Sequence, residues 1–184
     1  MKKKNQDLRN DPRYQNHESR PDLAGEHPKG DAWQFIAALI FFTAVILDYF
    51  YMGNPQKFNN LLSIWFRFPF AFLLFLSGSW LSFRGIHEVF SEYREEPVIL
   101  TEGLFRYMRH PIYLGAILFY LAVLIITLSP LGLIVIIGVL MLYHWLAVYE
   151  EKRMLALFGK AYQNYRQQVP MWLPIKFKKT APHR

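Results

Sequence analysis

Charged and apolar residues segregate sharply along the chain. Four stretches, residues 33–52, 61–83, 112–129 and 131–149, hold 80 residues and only two formal charges, Asp48 and Arg67. A helix needs roughly 17–25 apolar residues to cross about 30 Å of hydrocarbon, and each stretch reaches that length. Residues 112–129 (IYLGAILFYLAVLIITLS) and 131–149 contain no Asp, Glu, Lys or Arg. A water-exposed helix of this length would show a polar face at helical period, and these show none. The pattern predicts an all-α, polytopic membrane protein with four transmembrane helices, the last two joined as a helical hairpin, followed by a charged cytosolic C-terminal segment.

The flanks orient the spans. Residues 1–32 carry seven Lys and Arg, 84–111 carry four and 150–184 carry eight, against Lys57 alone in 53–60 and none at Pro130. Basic residues accumulate on the cytoplasmic side, so both termini and the 84–111 segment are expected there, as in a bacterial inner membrane. Residues 1–32 mix seven basic with six acidic side chains and hold no long apolar run, so they read as a disordered cytoplasmic tail rather than a secretory signal. The membrane domain is expected over 33–175, with a basic tail at 176–184. Residues 84–99 (RGIHEVFSEYREEPVI) read as a cytoplasmic amphipathic helix ending before Pro97, with His87 on a solvated face. Asp48 and Arg67 both fall within roughly 6–9 Å of the outer boundary, where they pair with each other or snorkel. Pro69 is expected to kink the second helix.

Composition changes this picture in three places. The mean hydropathy of +0.08 blends an almost uncharged membrane body with strongly charged flanks. The absence of cysteine excludes disulfides, thiolate metal sites and a thiol nucleophile. The net charge of +7 invites a nucleic-acid partner, but its placement beside the spans fits the inside rule instead, so none is expected. No metal site is expected either. A haem would need a second axial His facing His144, and neither His87 nor His110 completes such a pair.

Spacing then brings chemistry together. His110 lies twenty residues before Pro130 and Glu150 twenty after it. Two antiparallel helices of equal rise, joined by a tight turn, return these residues to one depth. Arg106, Arg109, His110 and Tyr113 should therefore face His144, Glu150 and Glu151 at the cytoplasmic boundary, with the positive end of the third helix aimed at the site. Pro111 suits that helix's first turn.

These residues also resemble a known family. Leu100-Thr-Glu-Gly103-Leu-Phe105-Arg-Tyr-Met-Arg109-His110-Pro111-Ile-Tyr113-Leu-Gly115 is similar to the signature of the isoprenylcysteine carboxyl methyltransferase and phospholipid methyltransferase superfamily. So are Glu150-Glu151 and the following Leu155, Phe158-Gly159, Tyr162, Tyr165, Val169-Pro170 and Leu173-Pro174. The resemblance covers residues 97–175 and implies a membrane-embedded methyltransferase using S-adenosylmethionine, held at the cytosolic helix ends under the C-terminal segment, which it implies is a cytosolic helix or lid. It implies that His110 and Tyr113 line the cofactor pocket and that Gly103 and Gly115 allow close approach. Glu150 and Glu151 would hold the cofactor's polar groups, and Arg109 the turn or a carboxylate. Tyr162, Tyr165 and Trp172 offer aromatic cover. No G-x-G-x-x-G motif follows a strand, in keeping with a cofactor site of another kind.

One departure bears on the acceptor. Many relatives place an Arg a helical turn or more before the paired glutamates, and here Tyr143 to Tyr149 contain none, with His144 in that neighbourhood. A prenylcysteine carboxylate, a phospholipid amine and a small thiol therefore all stay open as acceptors. A carboxylate or thiolate needs mainly alignment and exclusion of water. An amine must lose a proton, for which His144 or Glu150 is the candidate catalytic base. The alternatives are a small transporter, which would call for a charge near the bilayer midplane or paired repeats, and a non-enzymatic membrane adaptor. The sequence leaves the oligomeric state open.

Overall fold

In the computed structural model, residues 8, 10–14, 20, 23, 25–51 and 62–173 are described. Among them the chain is all-helical, with no strand: α1 (Gly30–Tyr51), α2 (Ile64–Phe90), α3 (Pro111–Thr127), α4 (Pro130–Phe158) and α5 (Lys160–Gln168). Short 3-10 turns span Pro12–Tyr14 and Gly103–Arg106. Three helices, α1, α2 and α4, are long and apolar enough to cross a membrane, and α3 is a shorter apolar helix of 17 residues. At 1.5 Å per residue α3 runs about 25 Å, short of the roughly 30 Å of a bilayer's hydrocarbon. Large apolar side chains such as Phe35, Phe50, Trp65 and Phe83 are mostly exposed along these helices. That outward apolar surface is stable in lipid and not in water, as expected of an integral membrane protein.

Packing pairs α1 with α4 and α2 with α3, whereas α3 and α4 touch sparsely. Glycines set the closeness of the second pair. A Cβ on Gly115 would fall 2.3 Å from Ser82 Oγ and 2.6 Å from the Gly78 carbonyl, and Gly78 faces the Gly115 carbonyl reciprocally. Small residues let helix backbones approach where lipid offers no hydrophobic drive. The core between the pairs is aromatic: Phe41 meets Tyr120 edge-on with centroids 4.8 Å apart, against Ile136, Val139 and Tyr143.

The expectation for Asp48 and Arg67 changes. Both are buried, and each is bonded to the turn of the α3–α4 hairpin. Asp48 accepts from the Ser129 hydroxyl and from the Leu131 N–H at 2.8 Å, at the positive start of α4. Arg67 donates to the Ile126 carbonyl at the negative end of α3. The Ser129 hydroxyl oxygen also accepts from Gly132 N–H at 2.9 Å, capping α4. Leu128 makes the turn at φ 49°, a left-handed position that glycine usually fills.

Three boundaries also differ. Residues 84–90 continue α2 instead of starting a separate amphipathic helix, and 91–99 are irregular. The last apolar helix runs on to Phe158, since nothing breaks it before Gly159, whose φ of 52° admits the turn into α5. The 1–32 tail was expected to be disordered, but its described part packs: Tyr14 is buried and donates to the Arg94 carbonyl. Arg20 lies over the rings of Phe90 and Tyr93 at 5.1 and 5.0 Å, a stabilisation that hydropathy does not register. The 53–60 loop and the 176–184 tail lie outside the described residues.

Replacing Asp48 leaves the Ser129 hydroxyl and the Leu131 N–H without their acceptor. Asp48→Ala is expected to destabilise the protein by about 2 kcal/mol, within the range for buried hydrogen bonds to a charged group. Denaturant unfolding of purified protein in detergent measures this, and a loss below about 0.5 kcal/mol, ordinary for a surface change, would count against the clamp.

Candidate functional site

The hairpin geometry derived from spacing is present. His110 is the residue before α3, with Pro111 at the first helical position, and its side chain makes no cap bond. Its ring is thus available to α4, where Nε2 lies 3.4 Å from Glu151 Oε1 and Nδ1 3.6 Å from Glu150 Oε2. One turn into α3, the Tyr113 hydroxyl donates to Glu150 Oε1, and the Tyr113 ring stacks on His110 with centroids 5.7 Å apart. Glu151 is buried and pairs with Arg109 at 2.8 Å and with Arg166 of α5 at 3.1 Å.

The C-terminal segment folds back onto this cluster. Arg109 N–H donates to the Pro170 carbonyl at 3.0 Å and His110 N–H to the Met171 carbonyl at 3.3 Å. Tyr165 of α5 donates to the Phe105 carbonyl at 2.6 Å. Trp172 lies between the rings of His110 and His144, at 5.9 and 6.4 Å.

A cavity of about 450 Å³ opens beside the cluster. Arg109, His110, Tyr113 and Glu150 line it, with Tyr162 and Tyr165 of α5. Apolar walls come from α2 (Ile86, Val89, Phe90) and from Val98, Ile99, Leu100 and Phe105. A pocket of this size, mostly apolar with a few convergent polar groups, suits a small organic ligand. Burial drives His110 below the ordinary imidazole value despite the neighbouring carboxylates, so it is neutral near pH 7. Burial likewise pushes the Tyr162 hydroxyl up to about 12 and raises Tyr165, so both stay protonated donors.

The structure brings together Arg109, His110, Tyr113, Glu150, Glu151 and Tyr162. It separates three other residues from the cavity. Gly115 packs against α2, and Gly103, at φ 58°, lies where a Cβ would overlap the Glu88 carboxylate, 2.2 Å away. That carboxylate accepts from Leu104 N–H at 2.9 Å and pairs with Arg84 at 3.0 Å, so Gly103 makes room for a structural cap. His144 is exposed on α4, does not line the cavity, and has its ring against Trp172. Arg106 and His87 do not line it either.

Sequence reasoning missed a whole wall. Leu23, Gly25, Glu26, His27, Gly30, Asp31 and Gln34 line the cavity from the N-terminal side, and Met154 adds a residue beyond the expected end of the fourth span at 149. In the sequence, Leu23 to Asp31 read as part of a polar tail, and Gln34 as the start of the first span. The one local hint is Gly25-Glu26-His27-Pro28, with turn-formers around an acid and an imidazole.

Comparison with known proteins identifies the family. The family model described as phospholipid methyltransferase matches residues 66–161, which run from α2 through the hairpin into α5. The chain is therefore a member of a membrane methyltransferase family, and it belongs to the phospholipid methyltransferase family. It is 35% identical over 99 residues to the methanethiol S-methyltransferase of Crocosphaera subtropica, covering 53% of this chain and 38% of that protein. It is 30% identical over 96 residues to the protein-S-isoprenylcysteine O-methyltransferase of Dictyostelium discoideum, covering 48% and 38%. To the probable protein-S-isoprenylcysteine O-methyltransferase of Oryza sativa subsp. indica it is 29% identical over 90 residues, covering 48% and 47%. The match thus spans less than half the length of each of these relatives.

Two outcomes test the cluster. Glu151→Ala removes the acceptor that holds Arg166, so amide hydrogen exchange in α5 should rise by at least roughly tenfold, equivalent to about 1.4 kcal/mol of local opening. Unchanged exchange would show that α5 does not depend on Glu151. The unfolded chain protonates His110 near its ordinary value of 6.5, whereas the folded chain resists, so His110 costs stability as pH falls below about 6.5. Detergent-solubilised His110→Gln should show a shallower acid-side loss in thermal unfolding, and an identical pH profile would contradict the neutral, buried imidazole.

Proposed function

We propose that the chain is a methyltransferase that takes S-adenosylmethionine in the cavity beside His110 and Glu150 and methylates an apolar acceptor arriving from the bilayer. The carrying observation is Arg109. Its side chain is 9% exposed, it lines the cavity, and its Nε has no hydrogen-bond partner among the described residues. A buried donor without a partner costs about 1–3 kcal/mol, which a ligand acceptor would recover. The cofactor's carboxylate meets that need, while carboxylates and aromatic rings along the same cavity suit its cationic groups and adenine.

Bound S-adenosylmethionine supplies a sulfonium methyl whose carbon–sulfur bond breaks as a bond to the acceptor forms, leaving S-adenosylhomocysteine. The chain's residues do the positioning. Arg109 offers its Nε to the carboxylate. Tyr162 and Tyr165 cover the cavity and exclude water, aided by the backbone pairing of residues 170 and 171 with 109 and 110. Tyr113 holds Glu150 by its hydroxyl proton, fixing one carboxylate oxygen and leaving the other toward His110. For an amine acceptor, Glu150 is the base within the cavity; a carboxylate or thiolate needs none. The base role considered for His144 is not retained, because its ring stands outside the cavity. Both termini are assigned to the cytoplasm, so the water-soluble cofactor reaches the cavity directly and the apolar acceptor enters between the helices.

Purified full-length protein should bind labelled S-adenosylmethionine in equilibrium dialysis. Glu150→Gln and Arg109→Lys should each weaken binding by roughly tenfold or more while thermal unfolding still reports folded protein. Folded wild-type protein that does not bind would overturn the proposal. Membranes incubated with the labelled cofactor then identify the acceptor: label lost as methanol on mild alkali marks a carboxyl ester, volatile label a thioether, and alkali-stable lipid label an amine.

A further inference from the structure

Residues 23–34 lie upstream of the segment that matches the family, yet they supply seven of the residues lining the cavity. Their placement is anchored at both ends of the crossing. On one side, Arg20 lies over the rings of Tyr14, Phe90 and Tyr93 and donates to the Glu92 carbonyl at 3.3 Å. On the other, the His27 ring meets Tyr149 at 4.5 Å and Trp145 at 5.2 Å on α4, while its Nδ1 accepts from Lys29 N–H at 3.0 Å. Between the anchors, Gly25 packs so closely on Met154 that a Cβ would fall 2.7 Å from its sulfur. The segment therefore bridges α2 and α4 across the cavity and continues directly into α1.

Two of the side chains it brings are acidic. Glu26 and Asp31 line the cavity with Glu150, and both bear electrostatically on Glu150. Glu26 also bears on Tyr113. Across the same space stands the buried guanidinium of Arg109, with its partnerless Nε. One cavity thus presents a cationic donor on one wall and carboxylates on another, the complement of a zwitterion such as an α-amino acid end group. A carboxylate facing a ligand cation in a half-enclosed site is stronger than the same pair in water.

Resting on the cofactor reading above, we propose that Leu23, Gly25, Glu26, His27, Gly30 and Asp31 form an integral wall of the cofactor site, and that Glu26 and Asp31 hold the cationic part of S-adenosylmethionine while Arg109 holds its carboxylate. The N-terminal segment then completes the site from outside the residues that match the family model.

Full-length protein in detergent tests this with two measurements. Equilibrium dialysis with labelled S-adenosylmethionine should show binding weakened roughly tenfold in Glu26→Gln/Asp31→Asn, retained within about threefold in Glu26→Asp, and unchanged in the exposed Glu96→Gln. Recovery by the shorter carboxylate marks a charge contact, since a merely structural residue would not distinguish Gln from Asp in this order. Trypsin cleavage of the wild type after Lys29, which is exposed, should slow several-fold when S-adenosylmethionine saturates the site, a readout that needs no variant to fold. Wild-type protein that binds while the double variant binds equally well, or while Lys29 cleavage ignores the ligand, overturns this inference and leaves the cofactor reading standing. Folded wild-type protein that does not bind overturns both.

Discussion

One buried carboxylate holds the working end of this protein together. Glu151 is 2% exposed, and a charge so placed is tolerated only when partners replace its lost hydration. It has three: Arg109 at 2.8 Å, Arg166 at 3.1 Å and the His110 ring at 3.4 Å. They come from the approach to α3, from α5 and from the α3 N-cap, while Glu151 itself belongs to α4. Satisfying one anion therefore fixes the hairpin's two arms and the C-terminal helix relative to one another. The pairing of Arg109 and His110 with the carbonyls of Pro170 and Met171 adds backbone hydrogen bonds to the same arrangement.

This constraint matters because the helix packing alone would leave the end open. α1 lies on α4 and α2 on α3, so the bundle is two tight pairs with a looser seam between them. The cavity occupies that seam where the spans meet the polar segments, and every helix contributes to its lining. The cavity is therefore walled by elements of both pairs at once.

The hairpin was legible in the sequence because two helices share one rise per residue. Counting from Pro130 placed His110 beside Glu150 and Glu151 without knowledge of side-chain conformation. The Arg109–Glu151 and Tyr113–Glu150 partnerships needed the helix rotation as well, which the count does not supply. Asp48 and Arg67 were expected to pair with each other or to snorkel, since a position along a helix says nothing about a nearby turn carrying its own unsatisfied backbone groups. Gly115 belonged to a recognisable motif, yet only the approach of Gly78 shows that its smallness serves packing. The wall from Leu23 to Gln34 was illegible for a different reason. Its anchors are cation–aromatic and aromatic contacts to residues far along the chain, and composition alone gives such a segment the look of a solvated tail.

The Asp48 clamp has a consequence for how the protein is made. The acceptor for Leu131 N–H is 83 residues earlier in the chain, in α1. During synthesis that helix carries a carboxyl group into the bilayer well before its partners at Ser129 and Leu131 exist, and Arg67 likewise precedes the Ile126 carbonyl. The bonds that tie Asp48 and Arg67 to the hairpin can therefore form only once the hairpin is in place, so closing the bundle is a late step of assembly.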